Sequence, residues 1–172
     1  MIRVAVITVS DSAVAGTRQD RSGPALVDRV TQLGWQIART RLVRDEVGEI
    51  AAAMAELAGS GEIDVILSTG GTGLAPRDVT PEAAQSVAGR EAPGFGEVMR
   101  AKGRNSTPLA ALSRSGAYTR GEALIVTLPG SPRGAVESLE AVLDLIPHAV
   151  NLLHGRTEHD AKLQSETKHL SR

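Results

Sequence analysis

Apolar residues come along this chain in short β-branched runs. Between the runs they recur every three or four positions, as expected of buried strands alternating with amphipathic helices. Residues 2–9 are nearly continuous Ile, Val and Ala, which predicts a strand covered on both faces. In residues 24–33, Leu26, Val27, Val30 and Leu33 share one helical stripe that Gly34 ends. Residues 35–43 alternate enough for a second, more exposed strand. Val47, Ile50, Ala51, Met54, Leu57 and Ala58 then return to helical spacing as far as Gly59. Residues 64–67 (Asp-Val-Ile-Leu) read as a third, short buried strand. From 79 to 113 the pattern is helical but broken by Pro93-Gly94 and Lys102-Gly103, with Phe95 expected beneath the helix that carries Glu97, Val98 and Met99. Thr107-Pro108 caps a further helix over 109–112. Residues 116–120 predict an edge strand and 123–128 a clear buried one. Val136, Leu139, Leu143 and Ile146 form one stripe behind Pro132, and 149–153 a last helix. The fold class predicted is α/β: one doubly wound, mostly parallel sheet with helices on both faces, built by residues 1–155. Residues 156–172 are polar and aperiodic, and are expected to fray or to wrap a neighbouring subunit.

The third strand runs into Thr69-Gly70-Gly71-Thr72-Gly73, where three glycines in four residues allow a sharp turn and close approach to another molecule. Backbone N–H groups around Thr72 suit an anion-binding concavity. Thr80 is placed to cap a helix whose first position is Pro81. A Walker loop is excluded, because no Gly-Lys-Ser/Thr occurs in the chain. The dinucleotide fingerprint fails as well: counting from Gly71 and Gly73, its third glycine falls on Pro76. What remains is a different phosphate loop, with Asp78 as a hard oxygen ligand for Mg²⁺, or a plain strand-to-helix turn. The second strong strand ends in a similar way, in Pro129-Gly130-Ser131-Pro132, where Ser131 can cap a helix and aim N–H groups at a phosphate. Arg133 beside it would neutralise such a phosphate or sit in solvent.

Acidic residues follow two other strands. Ser10-Asp11-Ser12 and the loop through Gly23 lie after the first strand's carboxyl end, where ligands of open α/β sheets bind. Asp11, Arg18 and Asp20 are candidates to face substrate there, although local capping is the better reading for Arg18 and Asp20 individually. Asp45 stands at the next strand-to-helix junction, where helix capping and a functional role weigh equally. Two carboxylates at strand ends of one parallel sheet can converge on one Mg²⁺. Ser113-Arg114-Ser115 reads as a polar turn.

Composition narrows the chemistry. Cysteine is absent, which removes disulfides and thiolate catalysis. None of His148, His154, His159 and His169 stands at metal-ligand spacing from a carboxylate, so no chemistry is assigned to them. The net charge of −1 leaves no nucleic-acid footprint, and three aromatics provide no base-stacking platform. The apolar start is too short to span a membrane and is followed by no small-residue cleavage site, so the expected location is the cytoplasm.

Thr69-Gly-Gly-Thr-Gly73, Pro76-Arg-Asp-Val-Thr-Pro81, Pro93-Gly-Phe-Gly-Glu97 and Leu128-Pro-Gly-Ser-Pro132 together resemble the molybdopterin adenylyltransferase family. This is the MogA/MoaB-type domain, similar also to the G domain of gephyrin. The four motifs keep the family's order over residues 1–155, and Pro-Gly-Phe-Gly-Glu is more similar to the MogA branch. The resemblance implies Mg²⁺- and ATP-dependent adenylylation of molybdopterin with release of pyrophosphate. Asp45 and Asp78 match the family's paired, metal-holding aspartates. Nucleotide or pterin contacts then fall to Ser10, Asp11, Thr69, Gly70, Gly71, Thr72, Gly73, Ser113, Pro129, Gly130 and Ser131. It also implies a homotrimer and, as a further partner, a molybdenum-insertion protein. The alternative is a MoaB-like module that binds pterin or acts as a scaffold without turnover.

Overall fold

Side-chain alternation along the first strand, β1 (Arg3–Val9), divides the core in two. Val4 and Val6 point to one face of the sheet, while Ala5, Ile7 and Val9 point to the other. The structure, a computed structural model, describes residues 1–156. Besides β1, the strands are β2 (Gln36–Val43), β3 (Val65–Thr69), β4 (Arg90–Glu91), β5 (Gly116–Arg120) and β6 (Ala123–Leu128). They form one sheet in the order β2-β1-β3-β6-β5-β4. The first four in that order run parallel; β5 pairs antiparallel to β6, and β4 antiparallel to β5. The helices are α1 (Asp11–Val14), α2 (Ser22–Gln32), α3 (Val47–Gly59), α4 (Thr80–Val87), α5 (Pro93–Gly103), α6 (Pro132–Val142) and α7 (Ile146–Leu153). Helices α2, α5, α6 and α7 cover the Val4/Val6 face, whereas α3 and α4 cover the Ile7 face. The doubly wound sheet expected from the alternation is therefore the fold. Its parallel strands bring the βα loops after β1, β2, β3 and β6 to one rim.

Several local expectations need correction. Residues 116–120 are not the edge, because the two-residue β4 pairs outside them through Arg90↔Thr119 and Glu91↔Tyr118. Two exposed residues carry no periodic signal. The stripe from Val136 to Ile146 belongs to two helices: α6 stops at Val142, and Pro147 in the first turn of α7 forbids continuation. Pro93 opens α5 instead of interrupting a helix, and Phe95 packs on the core as expected. Residues 108–112 form a 3₁₀ turn, with Thr107 accepting from Leu109 N–H at 3.3 Å. Ser10 caps the four-residue α1 within what reads as loop, and α2 starts before Pro24. Thr80 lies inside α4 and its hydroxyl serves another bond, described below; Val79 holds the cap position without a side-chain bond.

At the opposite rim, Asp64 receives the Arg3 backbone N–H at 2.7 Å and its guanidinium at 2.6 Å. Burial works against this carboxylate, but the Arg3 bonds outweigh it and hold Asp64 below the usual range. His154 Nε2 stands 3.4 Å from the same carboxylate, a pairing that no sequence spacing announces. His159, His169 and the rest of the predicted tail lie outside the described residues.

Leu139 of α6 is fully buried, whereas Leu109 is 68% exposed. Urea denaturation is expected to show Leu139→Ala destabilised by about 2–5 kcal/mol and Leu109→Ala within about 0.5 kcal/mol of wild type. Equal midpoints for the two variants would contradict this assignment of the core.

Candidate active site

The glycine turn is built by exclusion of side chains. Gly70 (φ 106°) and Gly71 (φ 67°) both occupy the left-handed region as the chain leaves β3. A Cβ on Gly70 would lie 2.3 Å from the Val9 carbonyl oxygen, and one on Gly71 would lie 2.3 Å from Thr80 Oγ1. The buried Thr80 hydroxyl donates to Gly70 O at 2.8 Å, and its N–H donates to Gly71 O at 3.0 Å. The turn also joins the chain beyond β6. Thr69 Oγ1 donates to Pro129 O at 2.7 Å, and Gly70 N–H donates to Leu128 O at 3.1 Å. Ser131 caps α6 as expected, accepting from Gly134 N–H at 3.1 Å. The two turns, some sixty residues apart in sequence, thus lie side by side, and α6 starts directly from the second of them.

Carboxylates surround this double turn. Asp11 and Asp45 hold one another reciprocally: Asp11 N–H donates to Asp45 Oδ2 at 2.8 Å, and Asp45 N–H donates to Asp11 Oδ1 at 3.0 Å. The residue in the cap position of α3 is Glu46, with no side-chain bond, so Asp45 does not cap that helix. Arg77 Nε donates to Asp11 at 2.6 Å and its Nη2 to Glu46 at 3.0 Å, linking the loops after β1, β2 and β3. The Arg77 guanidinium holds Asp11 below the ordinary carboxylate range. Burial pushes Asp45 up; the negative charges of Asp11 and Asp78 add to this, and the Asp11 N–H and Arg77 oppose it. Asp78 Oδ2 accepts from Ala75 N–H at 2.8 Å. A Cβ on Gly71 would stand 3.4 Å from Asp45 Oδ1, and one on Gly73 would stand 2.7 Å from Asp78 Oδ2. Asp45 and Asp78 therefore flank one four-residue turn.

Two cavities open on either side of it. One, of about 410 Å³, lies between the turn, α5, the 3₁₀ turn and α6; Met99, Leu109 and Leu112 give it an apolar wall. The other, of about 420 Å³, lies toward the loop after β1 and includes Ser10, Arg18 and Arg21. Gly71, Gly130 and Ser131 line both. Of the residues singled out by sequence, Thr72, Gly73, Asp78, Ser113 and Pro129 face the first cavity, and Ser10, Asp45 and Gly70 the second. Thr69 lies buried beneath, and Asp11 sits at the rim in its pair with Arg77. Thr72 is also buried, with its hydroxyl 3.3 Å from Ser115 Oγ. Asp20 accepts from Thr8 Oγ1 at 2.7 Å and from Gly23 N–H at 3.0 Å, a local bonding role, and it also lines the second cavity, although the cap position of α2 is Arg21. Arg133 is 80% exposed and pairs with Glu137.

The donor chemistry fits a hard divalent cation. Asp45 is a carboxylate whose ionised form is penalised by burial and by two like charges, and a nearby cation would relieve that penalty. Among the described residues no three or more His, Cys, Asp or Glu side chains gather into a metal site. Two carboxylates completed by phosphate oxygens and water match the habit of Mg²⁺.

Sequence reasoning missed two arginines. Arg77 carried no assigned role, and Arg114 reads from sequence as part of a polar turn. In the fold Arg114 donates to Gly73 O at 2.8 Å and Asp78 O at 2.5 Å, and pairs with Glu82. Arg77 lies 66 residues from Asp11, and Arg114 lies 36 from Asp78. No local spacing could reveal either contact.

Comparisons with known proteins identify the family. Residues 5–148 match the family model described as a probable molybdopterin binding domain. The molybdopterin adenylyltransferase of Escherichia coli (strain K12) is 38% identical over 169 residues, covering 90% of this chain and 86% of that protein. The one from Helicobacter pylori (strain J99) is 38% identical over 156 residues, covering 90% and 89%. A crystal structure of the molybdopterin biosynthesis enzyme MoaB from Thermus thermophilus superposes with a TM-score of 0.84 at 48% identity, over 90% of this chain and 98% of that one. With a match that spans most of its length and a glycine turn flanked by paired aspartates, the chain belongs to the MogA/MoaB-type molybdopterin-binding, molybdopterin adenylyltransferase family.

Proposed function

We propose that the protein adenylylates molybdopterin with ATP in molybdenum cofactor biosynthesis, one substrate body in each cavity and the reacting phosphates over the shared turn. The observation that carries this reading is the common floor. Gly71, Gly130 and Ser131 line both cavities, so phosphates from two sides would meet the same backbone N–H groups. An oxygen of the terminal phosphate of molybdopterin attacks the α-phosphorus of ATP. The bond from that phosphorus to the bridging oxygen breaks, and pyrophosphate leaves. The nucleophile is already anionic at neutral pH, so no general base is required. Asp45 and Asp78 would hold Mg²⁺, which when bound neutralises charge on the triphosphate. The chain itself then supplies position and preorganised dipoles. Arg18 and Arg21 line the second cavity together with Asp20 and Asp45, so it carries cationic as well as acidic groups beside the turn. The second reading is a non-catalytic MoaB-like module that binds pterin or acts as a scaffold. The presence of both carboxylates favours turnover. The family resemblance extends the proposal to a cytoplasmic homotrimer that hands its product to a molybdenum-insertion protein. Among the described residues no helix is long and apolar enough to cross a membrane. Light scattering at three times the chain mass would support the trimer, and a monomer mass would remove it.

Incubation with molybdopterin, Mg²⁺ and ATP should release pyrophosphate. Asp45→Ala or Asp78→Ala should lower turnover by about 10²-fold or more, the scale of losing one group that stabilises transition-state charge. Tight pterin binding without pyrophosphate in the wild type would favour the module instead. Wild-type rates in both variants would exclude the metal role.

The raised Asp45 makes a second prediction. A carboxyl whose folded pKa lies above its unfolded value favours folding below that unfolded value, and the contribution is lost as pH rises through the folded one. At neutral pH the ionised Asp45 is therefore a destabilising group. Asp45→Asn should melt at a higher temperature than wild type at pH 7, with the gap closing toward pH 4, while turnover is lost. Mg²⁺ with ATP should raise the melting temperature of wild type more than that of the variant. A lower melting temperature for Asp45→Asn at pH 7 would contradict this reading of the site's electrostatics.

A further inference from the structure

Arg114 and the segment Pro93-Gly-Phe-Gly-Glu97 take no part in the scheme above, yet both bear on Asp78. Arg114 makes four contacts with residues 72–82, from the glycine loop into α4. Its backbone N–H donates to Thr72 O at 2.8 Å, Nε to Gly73 O at 2.8 Å and Nη2 to Asp78 O at 2.5 Å, while Nη1 pairs with Glu82. The guanidinium thus brackets residues 73–78. Within that bracket Ala75 N–H reaches Asp78 Oδ2 at 2.8 Å and Asp78 N–H reaches Ala75 O at 2.9 Å. Arg114 thus holds the Asp78 carbonyl from outside while the Ala75 N–H holds its carboxylate from within.

Arg114 is itself clasped. Arg100 Nη1 donates to Ser113 O and to Ser115 O, each at 3.3 Å, one residue on either side. Ser113 Oγ donates to Ser115 Oγ at 2.9 Å, and Ser115 Oγ lies 3.3 Å from Thr72 Oγ1. Arg100 can lie back along α5 because the residue one turn earlier is Gly96. A Cβ there would stand 2.7 Å from Ser115 O and 3.0 Å from Arg100 Nη1. The second glycine of Pro-Gly-Phe-Gly-Glu is thereby connected to the site.

We infer that Arg114 is a positioning residue for Asp78, holding its peptide through the Gly73 and Asp78 carbonyls, and that Arg100 holds Arg114 in a slot left open by Gly96. The importance of Asp78 rests on the metal-holding role proposed above. Shape matters here more than charge. A planar guanidinium with five fixed donors can bridge two carbonyls and a carboxylate at once, and a lysine ammonium on its flexible stem cannot.

The test uses the full chain and two readouts, neither of them activity. One is Mn²⁺ binding, followed by electron paramagnetic resonance of the free ion. The other is amide hydrogen exchange at Ala75 in metal-free protein. Asp78→Asn should weaken Mn²⁺ binding by about 10-fold or more. Arg114→Gln and Arg114→Lys should both weaken it by about 10- to 100-fold, the range found when a group supporting a metal ligand is removed, and both should speed exchange at Ala75. Gly96→Ala, which leaves Arg114 in place, should shift both readouts the same way by less, and it carries the test if an Arg114 variant does not fold. Wild-type Mn²⁺ affinity and Ala75 exchange in the Arg114 variants, beside weakened binding in Asp78→Asn, would overturn the positioning role and leave the metal reading intact. Wild-type affinity in Asp78→Asn would overturn the metal reading; Ala75 exchange would then decide the positioning role alone, faster exchange in Arg114→Lys supporting it and unchanged exchange overturning it.

Discussion

The contact on which the site depends is the one between two stretches of bare backbone. Gly70 fits against the Val9 carbonyl only because it has no side chain, and a Cβ on Gly130 would come 3.2 Å from Gly70 Cα. Through this close approach the ends of β1, β3 and β6 share one small volume, and the Thr80 hydroxyl fixes it by bonding Gly70 O from within α4. The turn is thereby held so that it cannot relax sideways. A site of this kind binds anions with little reorganisation, which phosphoryl-type transfer requires of a protein that supplies no covalent chemistry.

The electrostatics have a cost for stability. Asp11, Asp45 and Asp78 bring like charges to one rim, and the burial of Asp45 adds to the penalty. Arg77 offsets part of it through exposed ion pairs to Asp11 and Glu46, which are individually weak and easily exchanged. A site strained by like charges, which a bound cation would relieve, is the expected compromise between stability and activity. The rest of the chain compensates with a conventional two-faced core of Val, Leu, Ile and Ala.

Much of this was legible in the sequence, and what was not shares a physical cause. Periodicity gives β1, β3, β6, α2, α3 and the parallel core, because buried strands and amphipathic helices write their environment into local spacing. Thr69-Gly-Gly-Thr-Gly73 announces a special turn, and Ser131-Pro132 announces a helix cap. Pro147 was present to divide Val136–Ile146 into two helices, but the apolar stripe runs through it. The two exposed residues of β4 left no pattern at all. Thr80 illustrates the limit: its position before Pro81 suggests a cap, while its partner, Gly70 O, is ten residues upstream across a fold-dependent gap. Arg77 and Arg114 are harder still, since their partners are set by the order of strands in the sheet and not by any spacing along the chain. For Asp45 spacing allows a helix cap, but Glu46 takes that position in the fold, and the Asp45 carboxylate lies instead on Asp11 N–H and beside Gly71.

In the proposed function Asp45, Asp78 and the double glycine turn act together on one metal-bound triphosphate. The most direct measurement is a crystal structure of the protein with Mg²⁺ and a non-hydrolysable ATP analogue. It should show the phosphates over Gly70–Gly73 and Gly130–Ser131, with Mg²⁺ bonded to oxygens of Asp45 and Asp78 at about 2.0–2.1 Å or joined to them through a single water. A nucleotide bound elsewhere, or a metal that engages neither aspartate, would contradict it.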